Sequence, residues 1–494
     1  MSRLATILSA TLLAALVCAP AVCRGDTLQT TVEAIAGKAP INRAQLGVFA
    51  IEASSGRVLA SRQADREFIP ASAFKLLLAT TALDTLGAQY RFTTQLLARG
   101  QIAENRLDGD LILVGGGDPV LSSADLGGAA AAVSAGGIRQ VGGSVVADDT
   151  LYDGVRWGPD WPWDATPFYY AAPIQALAID EGTMTAVIKP GSRDGDLVSA
   201  EITPPALGYT IASRAVMAAV PDDDPARCSR RLGTTQILIV GRMPLGAASQ
   251  TLHCAVEDSS DYALRRLRFE LNAAHVSVGV APLGSPPPNL PHDFIDQGPM
   301  PAPLPQRYPG AHMLWAHQSP PLLELLHTML TESDNFMAEH ILKMLAVRAL
   351  HQRGSFIGGA TVEQRFAVRL GIDKDAIDVN DGSGLSPADR ITPHGLVTIL
   401  RWAARQPYGA DFVNALPRAG MDGTLANRLT GTDAVGRVHA KSGYMQHTIV
   451  LAGYADTLHH GRVLFAVMVG EATGDVVPYF DSEDQIVSAL VDLR

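Results

Sequence analysis

Residues 69–87 read IPASAFKLLLATTALDTLG, an apolar run of helical character with one lysine near its start. Lys75 follows Ser72 by three positions, so on a helix the hydroxyl and the amine share a face. Only six of the 39 basic residues are lysines, so a lysine inside an apolar run asks for a reason. A serine hydroxyl is a weak nucleophile until a neighbouring base takes its proton. Lysine can be that base when burial or a nearby cation lowers its pKa, whereas arginine keeps its proton. The plain alternative is a capping serine beside a lysine whose stem lies along apolar surface. Ser-x-x-Lys alone does not decide between them.

Two further stretches bear on the choice. TESDNFMAEH places Ser333, Asp334 and Asn335 at the head of a helical pattern, where Ser and Asn also serve as ordinary caps. VHAKSGYMQH places Lys441, Ser442, Gly443 and Tyr444 on an expected strand, which could equally be a solvated edge. Each motif is weak by itself. Their fixed order, Ser-x-x-Lys, then Ser-Asp-Asn, then Lys-Ser-Gly, is a far more specific signal. Gly-x-Ser-x-Gly and His-Glu-x-x-His strings are absent, which argues against an α/β-hydrolase or a zinc peptidase. His312 and His317 read as surface or packing residues, and PDDDP lacks calcium-loop spacing. The expectation is no cofactor and no metal.

The rest of the chain frames these residues. Its 494 residues exceed one ordinary core. A hydrophobic content of 47% with 18% charged residues is that of a folded protein. A net charge of -11, with no offsetting basic stretch, argues against a nucleic-acid partner. Residues 1–25 read as an export signal: Arg3, an apolar stretch from Ala5 to Ala19, then small residues for cleavage at Ala19-Pro20-Ala21, with Cys23-Arg24-Gly25 as a later option. That stretch is shorter than the ~20 residues of a spanning helix. The expectation is a periplasmic protein with no membrane span after cleavage. Cleavage leaves Cys228 and Cys254, for which an oxidising compartment favours a disulfide over two separate thiols.

LGVFAIEASSGRVLASRQ (46–63) predicts a hairpin turning at Ser54-Ser55-Gly56, and helical periodicity follows from about Ser72 to Leu86. HTIVLAGYAD and GRVLFAVMVGE predict a second strand pair, and SEDQIVSALVDL a closing helix. Strands from both ends with helices between them predict one mixed sheet built from the two termini. The middle is rich in Gly, Pro and short β-like runs, and a proline-dense stretch ends it. The expected layout is a core from 26–90 and 308–494, an inserted domain from 91–175 and 262–307, and a second domain, 176–261, nested in it.

With these motifs in hand, the chain resembles the low-molecular-mass class C penicillin-binding proteins, the D-alanyl-D-alanine carboxypeptidase/endopeptidase family. The blocks GDLILVGGGDPVLSSADL, YYAAPIQALAID, SDNFMAEHILKML, DGSGLSPADRIT and GMDGTLANRL extend that resemblance over nearly the whole chain. The 257 residues between Lys75 and Ser333 fit the family's large insertions, where compact β-lactamases have a much shorter gap. The resemblance implies an α/β (α+β) penicillin-recognising core with inserted β-rich domains. It implies that Ser72 attacks the carbonyl of the penultimate D-Ala and Lys75 takes its proton. Ser333 would relay a proton to the leaving amine, Asn335 would hold the substrate amide and Lys75, and Lys441 would supply positive charge. Backbone N–H groups of Ser72 and Tyr444 would form an oxyanion hole, each donor worth ~3 kcal/mol. Ser442, Gly443 and Tyr444 would line the substrate site. Where the family has Lys-Thr-Gly-Thr, Ser442 keeps one hydroxyl and Tyr444 replaces the other with an aromatic ring. Peptidoglycan stem peptides are the implied substrates and β-lactams the implied covalent inhibitors. The rivals are a serine β-lactamase or esterase of the same fold, and a non-catalytic wall-binding protein.

Overall fold

A computed structural model describes residues 28–203, 208–219, 224–231, 233–279 and 298–493. The export signal expected at residues 1–25 and most of the proline-dense stretch lie outside the described residues.

The termini build one sheet, as their strand patterns predict. Helix α1 (Leu28–Ala36) precedes β1 (Gln45–Glu52) and β2 (Val58–Arg62), and the chain returns with β3 (Val438–Met445), β4 (Thr448–Asp456) and β5 (Arg462–Gly470). Their order is β3-β4-β5-β1-β2, antiparallel throughout. Side chains alternate across a strand, and both faces here are apolar. Phe49, Ile51, Val450, Ala452, Leu464, Ala466 and Met468 enter one core. Val48, Ala50, Ile449, Leu451, Phe465, Val467 and Val469 enter another. The near-continuous apolar runs of β4 and β5 thus follow from a sheet covered on both sides.

On the first face pack α2 (Lys75–Thr85), α3 (Asn335–Leu350) and α4 (Pro393–Ala403); on the second lie α1 and α5 (Val477–Val491). Buried residues run without a gap from Lys75 to Leu83 in α2 and from Phe336 to Val347 in α3. Helices apolar all round are central ones. Two lysines inside such helices, Lys75 and Lys343, therefore need specific partners.

Between the halves stands a six-stranded sheet led by Thr93–Ala103 and Arg106–Val114, with helices Ser123–Ala135 and Ser259–Ala273 against it. Smaller sheets from residues 183–255 share its apolar cluster. The segment expected to rejoin the core from 308 first adds the strand His312–Gln318 to this inserted sheet, antiparallel to Thr93–Ala103. The crossing comes at Ser319, whose backbone N–H donates to Phe92 O at 3.0 Å while its hydroxyl accepts from Phe92 N–H at 3.0 Å. Cys228 and Cys254 form a disulfide within the nested sheets.

A long loop from residue 149 to 175 runs back onto α3. Tyr152 Oη donates to His340 O at 2.8 Å, and Lys343 Nζ to Asp153 Oδ1 at 2.7 Å. This loop forms one wall of the cleft described next.

Candidate active site

Ser72 does not start an α-helix. It sits in a 3-10 turn, Ala71–Phe74, that feeds directly into α2 at Lys75. Residues i and i+3 eclipse in that tighter helix, which brings Lys75 Nζ to 3.1 Å from Ser72 Oγ. Ala71, just before the serine, has a φ of 46°. Non-glycine residues there carry local strain, and such strain gathers at functional sites.

Lys75 is fully buried and donates to three oxygens: Ser72 Oγ, Asn335 Oδ1 at 2.7 Å and Ser383 O at 2.8 Å. Three acceptors match the three donors of an ammonium. Burial nevertheless lowers its pKa to about 8, against the opposing charges of Glu339, Asp381 and Asp334. A neutral amine is thus within reach near neutral pH.

Ser333 caps the C-terminus of the helix Leu322–Glu332, in left-handed conformation with φ 64° and ψ 38°. Asp334, for which sequence reasoning found no chemistry, caps α3 by accepting from Met337 N–H at 2.9 Å. Burial raises its carboxyl pKa. Asn335 opens α3 and is held from both ends of its amide: Oδ1 accepts from Lys75, and Nδ2 donates to Tyr170 O at 3.0 Å. That contact fixes the amide orientation.

Strand β3 forms the opposite side. Lys441 is fully buried, donates to Ser442 O at 2.8 Å, and has its pKa lowered by burial and by Lys75. Ser442 Oγ donates to Thr424 Oγ1 at 2.7 Å. Gly443 is the close-approach residue, because a Cβ there would lie 2.6 Å from Pro70 O. β3 is an edge strand, and its outer edge carries Val438 O, accepting from Ala419 N–H, and Ala440 N–H, donating to Pro417 O, each at 3.0 Å. Backbone direction alternates along an antiparallel strand, and the register to β4 is regular from Val438 to Met445. Ser442 and Tyr444 therefore also turn their backbone groups outward, and the Tyr444 N–H leaves the sheet on the cleft side. The Tyr444 ring leans on Phe480 with centroids 5.6 Å apart and is 57% exposed.

Ser72, Ser333, Asn335 and Tyr444 line one cleft of about 1430 Å³, closed on another side by Phe168, Tyr169 and Tyr170. Lys75, Lys441 and Gly443 lie beneath its floor. Ser72, Lys75 and Asn335 are joined by hydrogen bonds and Ser333 and Tyr444 line the same cleft, whereas Ser442 does not line it and turns its hydroxyl to Thr424. Sequence reasoning missed three supports: the carbonyls of Ser383 and Tyr170, and the carboxylate of Glu339 that holds the Ser383 loop. Carbonyl roles carry no residue signature. Glu339 could have been found, since it stands four residues after Asn335, on the same helix face. Among the described residues, no group of three or more His, Cys, Asp or Glu is arranged to hold a metal.

Comparison with known proteins gives a consistent picture. The family model of the D-Ala-D-Ala carboxypeptidase 3 (S13) family matches residues 28–284 and 303–491. A D-alanyl-D-alanine carboxypeptidase of Actinomadura sp. (strain R39) is 32% identical over 458 residues, covering 89% of this chain and 80% of that protein. The D-alanyl-D-alanine carboxypeptidase DacB of Haemophilus influenzae is 25% identical over 441 residues, covering 87% and 86%. The crystal structure of penicillin binding protein 4 (dacB) from Haemophilus influenzae superposes with a TM-score of 0.80 at 24% identity, over 93% of this chain and 99% of that one. A second structure of that protein, complexed with a novel β-lactam, gives a TM-score of 0.75 at 22% identity over the same shares. These two structural matches establish the fold.

Proposed function

The chain belongs to the D-Ala-D-Ala carboxypeptidase 3 (S13) family, and from that premise we propose that Ser72 is its nucleophile and peptidoglycan stem peptides its substrates. The protein is a serine-type D-alanyl-D-alanine carboxypeptidase, and the roles of its residues follow from the cleft. Neutral Lys75 takes the Ser72 proton as Oγ attacks the carbonyl of the penultimate D-Ala. Negative charge developing on the carbonyl oxygen faces the N–H groups of Ser72 and Tyr444 as preorganised donors. Ser333, which lines the cleft, passes a proton to the amine of the departing D-Ala. Water then hydrolyses the ester on Ser72 and frees the enzyme. Lys441, buried with no carboxylate partner among the described residues, supplies positive charge once a substrate's terminal carboxylate arrives to offset the burial that lowers its pKa. A β-lactam acylates the same serine, and D-Ala cross-links to a stem-peptide amine are cut by the same route.

The observation that carries this reading is the 3.1 Å contact between Ser72 Oγ and a fully buried lysine whose pKa burial has lowered. The division of the chain into a catalytic part, residues 26–90 with the segment after the Ser319 crossing, and inserted parts between them belongs to the same proposal. So does a periplasmic location after loss of residues 1–25. Among the described residues no helix is long and apolar enough to cross a membrane. Incubating the protein with a pentapeptide ending in D-Ala-D-Ala, and separately with purified sacculi, tests the reaction. Released D-Ala from the first is the expected result, with cleaved cross-links from the second. No product from either, by protein that is folded, would overturn it.

A further inference from the structure

Asn335 and Glu339 are one helical turn apart on α3 and reach Lys75 by two routes. Asn335 does so directly. The fully buried Glu339 carboxyl group, its pKa raised to about 8 by burial and by Asp381, accepts from Gly382 N–H at 3.0 Å and from Ser383 N–H at 2.8 Å, one oxygen to each. The carbonyl of that same Ser383 takes the Lys75 Nζ at 2.8 Å. Asp381 tightens the loop from inside, its Oδ1 accepting from Gly384 N–H and its Oδ2 from Ser386 N–H at 2.7 Å each, and Trp161 Nε1 donates to the same Oδ2 at 2.8 Å. Gly384 has a φ of 78°, and a Cβ there would lie 1.9 Å from Ala71 O, so the loop also abuts the turn that carries Ser72.

We propose that Glu339 is a positioning residue for Lys75: by clamping the 382–383 backbone it aims the Ser383 carbonyl at the amine, so that the amine stays within reach of Ser72 Oγ. The proposal rests on the reading of Ser72 and Lys75 as nucleophile and base. A lysine on a flexible four-carbon stem has many rotamers, and three fixed acceptors leave it one. Two of those acceptors, Asn335 Oδ1 and Ser383 O, are set by the same face of α3. A displacement of the order of 1 Å can cost about 100-fold in rate.

The same buried region supplies its own control. Glu363, on the helix Phe356–Arg369, is equally buried, and neither of its carboxyl oxygens has a hydrogen-bond partner. Burial and the nearby charges of Glu339 and Asp381 push its pKa well up, toward a neutral acid. Glu363→Gln therefore replaces a neutral side chain by one of the same shape, at a position that no hydrogen bond links to Lys75 or to the 382–383 backbone.

The experiment separates the penicillin acylation rate constant from the dissociation constant of the prior non-covalent complex, in wild type, Glu339→Gln, Glu339→Ala and Glu363→Gln. Glutamine keeps one acceptor oxygen for the two N–H groups, and alanine keeps none. The expected result is a graded loss of the acylation constant, about tenfold or more for Glu339→Gln and larger for Glu339→Ala. The dissociation constant should stay within about twofold, and Glu363→Gln should acylate like wild type. Should Glu339→Ala fail to fold, the two near-isosteric glutamine variants carry the comparison alone. Wild-type acylation by Glu339→Gln would overturn the proposal, as would equal losses in Glu339→Gln and Glu363→Gln. A wild-type protein that no penicillin acylates would instead sink the reading of Ser72 itself.

Discussion

Lys75 shows what a single residue must reconcile in this site. It needs enough acceptors to be buried at all, and it must lose a proton to act. Its three oxygens satisfy the first need, and burial, lowering its pKa to about 8, meets the second. In the proposed role the base is the neutral form of Lys75, present above the pKa and lost as pH falls through it. The penicillin acylation rate is therefore expected to rise toward a plateau above pH about 8, and to fall by about tenfold per unit well below it. A stopped-flow series across pH 5 to 9 checks this, and a flat profile would remove Lys75 from the role of base. Lys75→Arg keeps the charge and much of the bulk but cannot give up its proton. It is expected to lose acylation while remaining folded.

At the scale of elements, the site depends on an edge strand pressed against a 3-10 turn. Gly443 lets them meet, and a Cβ there would strike Pro70 O, a backbone atom with no rotamer to move. Gly443→Ala is expected to push β3 off the Ser72 turn and slow acylation by about 100-fold. Tyr444 turns its N–H off the sheet edge toward the cleft while its ring rests on Phe480. Tyr444→Thr should thus acylate normally, whereas Tyr444→Pro loses the donor and about 100-fold in rate. Equal damage from the two would show that the ring, not the amide, acts. The strands and helices carrying these residues were legible in the sequence because their apolar patterns are long and their motifs ordered. The hairpin at Gly56, the strand bearing Lys441 and the helix headed by Asn335 all stand where pattern placed them. Two things were not legible. The Ser72 turn is 3-10, not α, since three-residue spacing suits both. The acceptors for Lys75 and Asn335 are backbone carbonyls from residues 383 and 170, which only tertiary packing brings close.

On the scale of the whole molecule, the inserted sheets are tied to the catalytic cleft by a traceable set of contacts. Cys254 is joined to Cys228, and its strand bridges to Phe168 at the cleft wall. Arg230 secures the same wall, donating to Ala255 O at 2.9 Å and Thr166 O at 3.3 Å. Two residues beyond Phe168, the Tyr170 carbonyl holds Asn335. Replacing both cysteines by serine is expected to cost the nested region about 2–4 kcal/mol. A lowered denaturation midpoint in the double variant would show it, and an unchanged midpoint would exclude it. The core boundary expected at 308 precedes the strand His312–Gln318, which pairs with the inserted sheet, because an edge strand of mixed polarity does not announce which sheet it joins. All of these supports converge on one oxygen atom. The most direct test of the account is to treat the protein with penicillin, digest it and locate the adduct by mass spectrometry, with Ser72→Ala alongside. The account predicts one penicilloyl group on Ser72 and none on the alanine variant; an adduct on another serine, or undiminished labelling of Ser72→Ala, would contradict it.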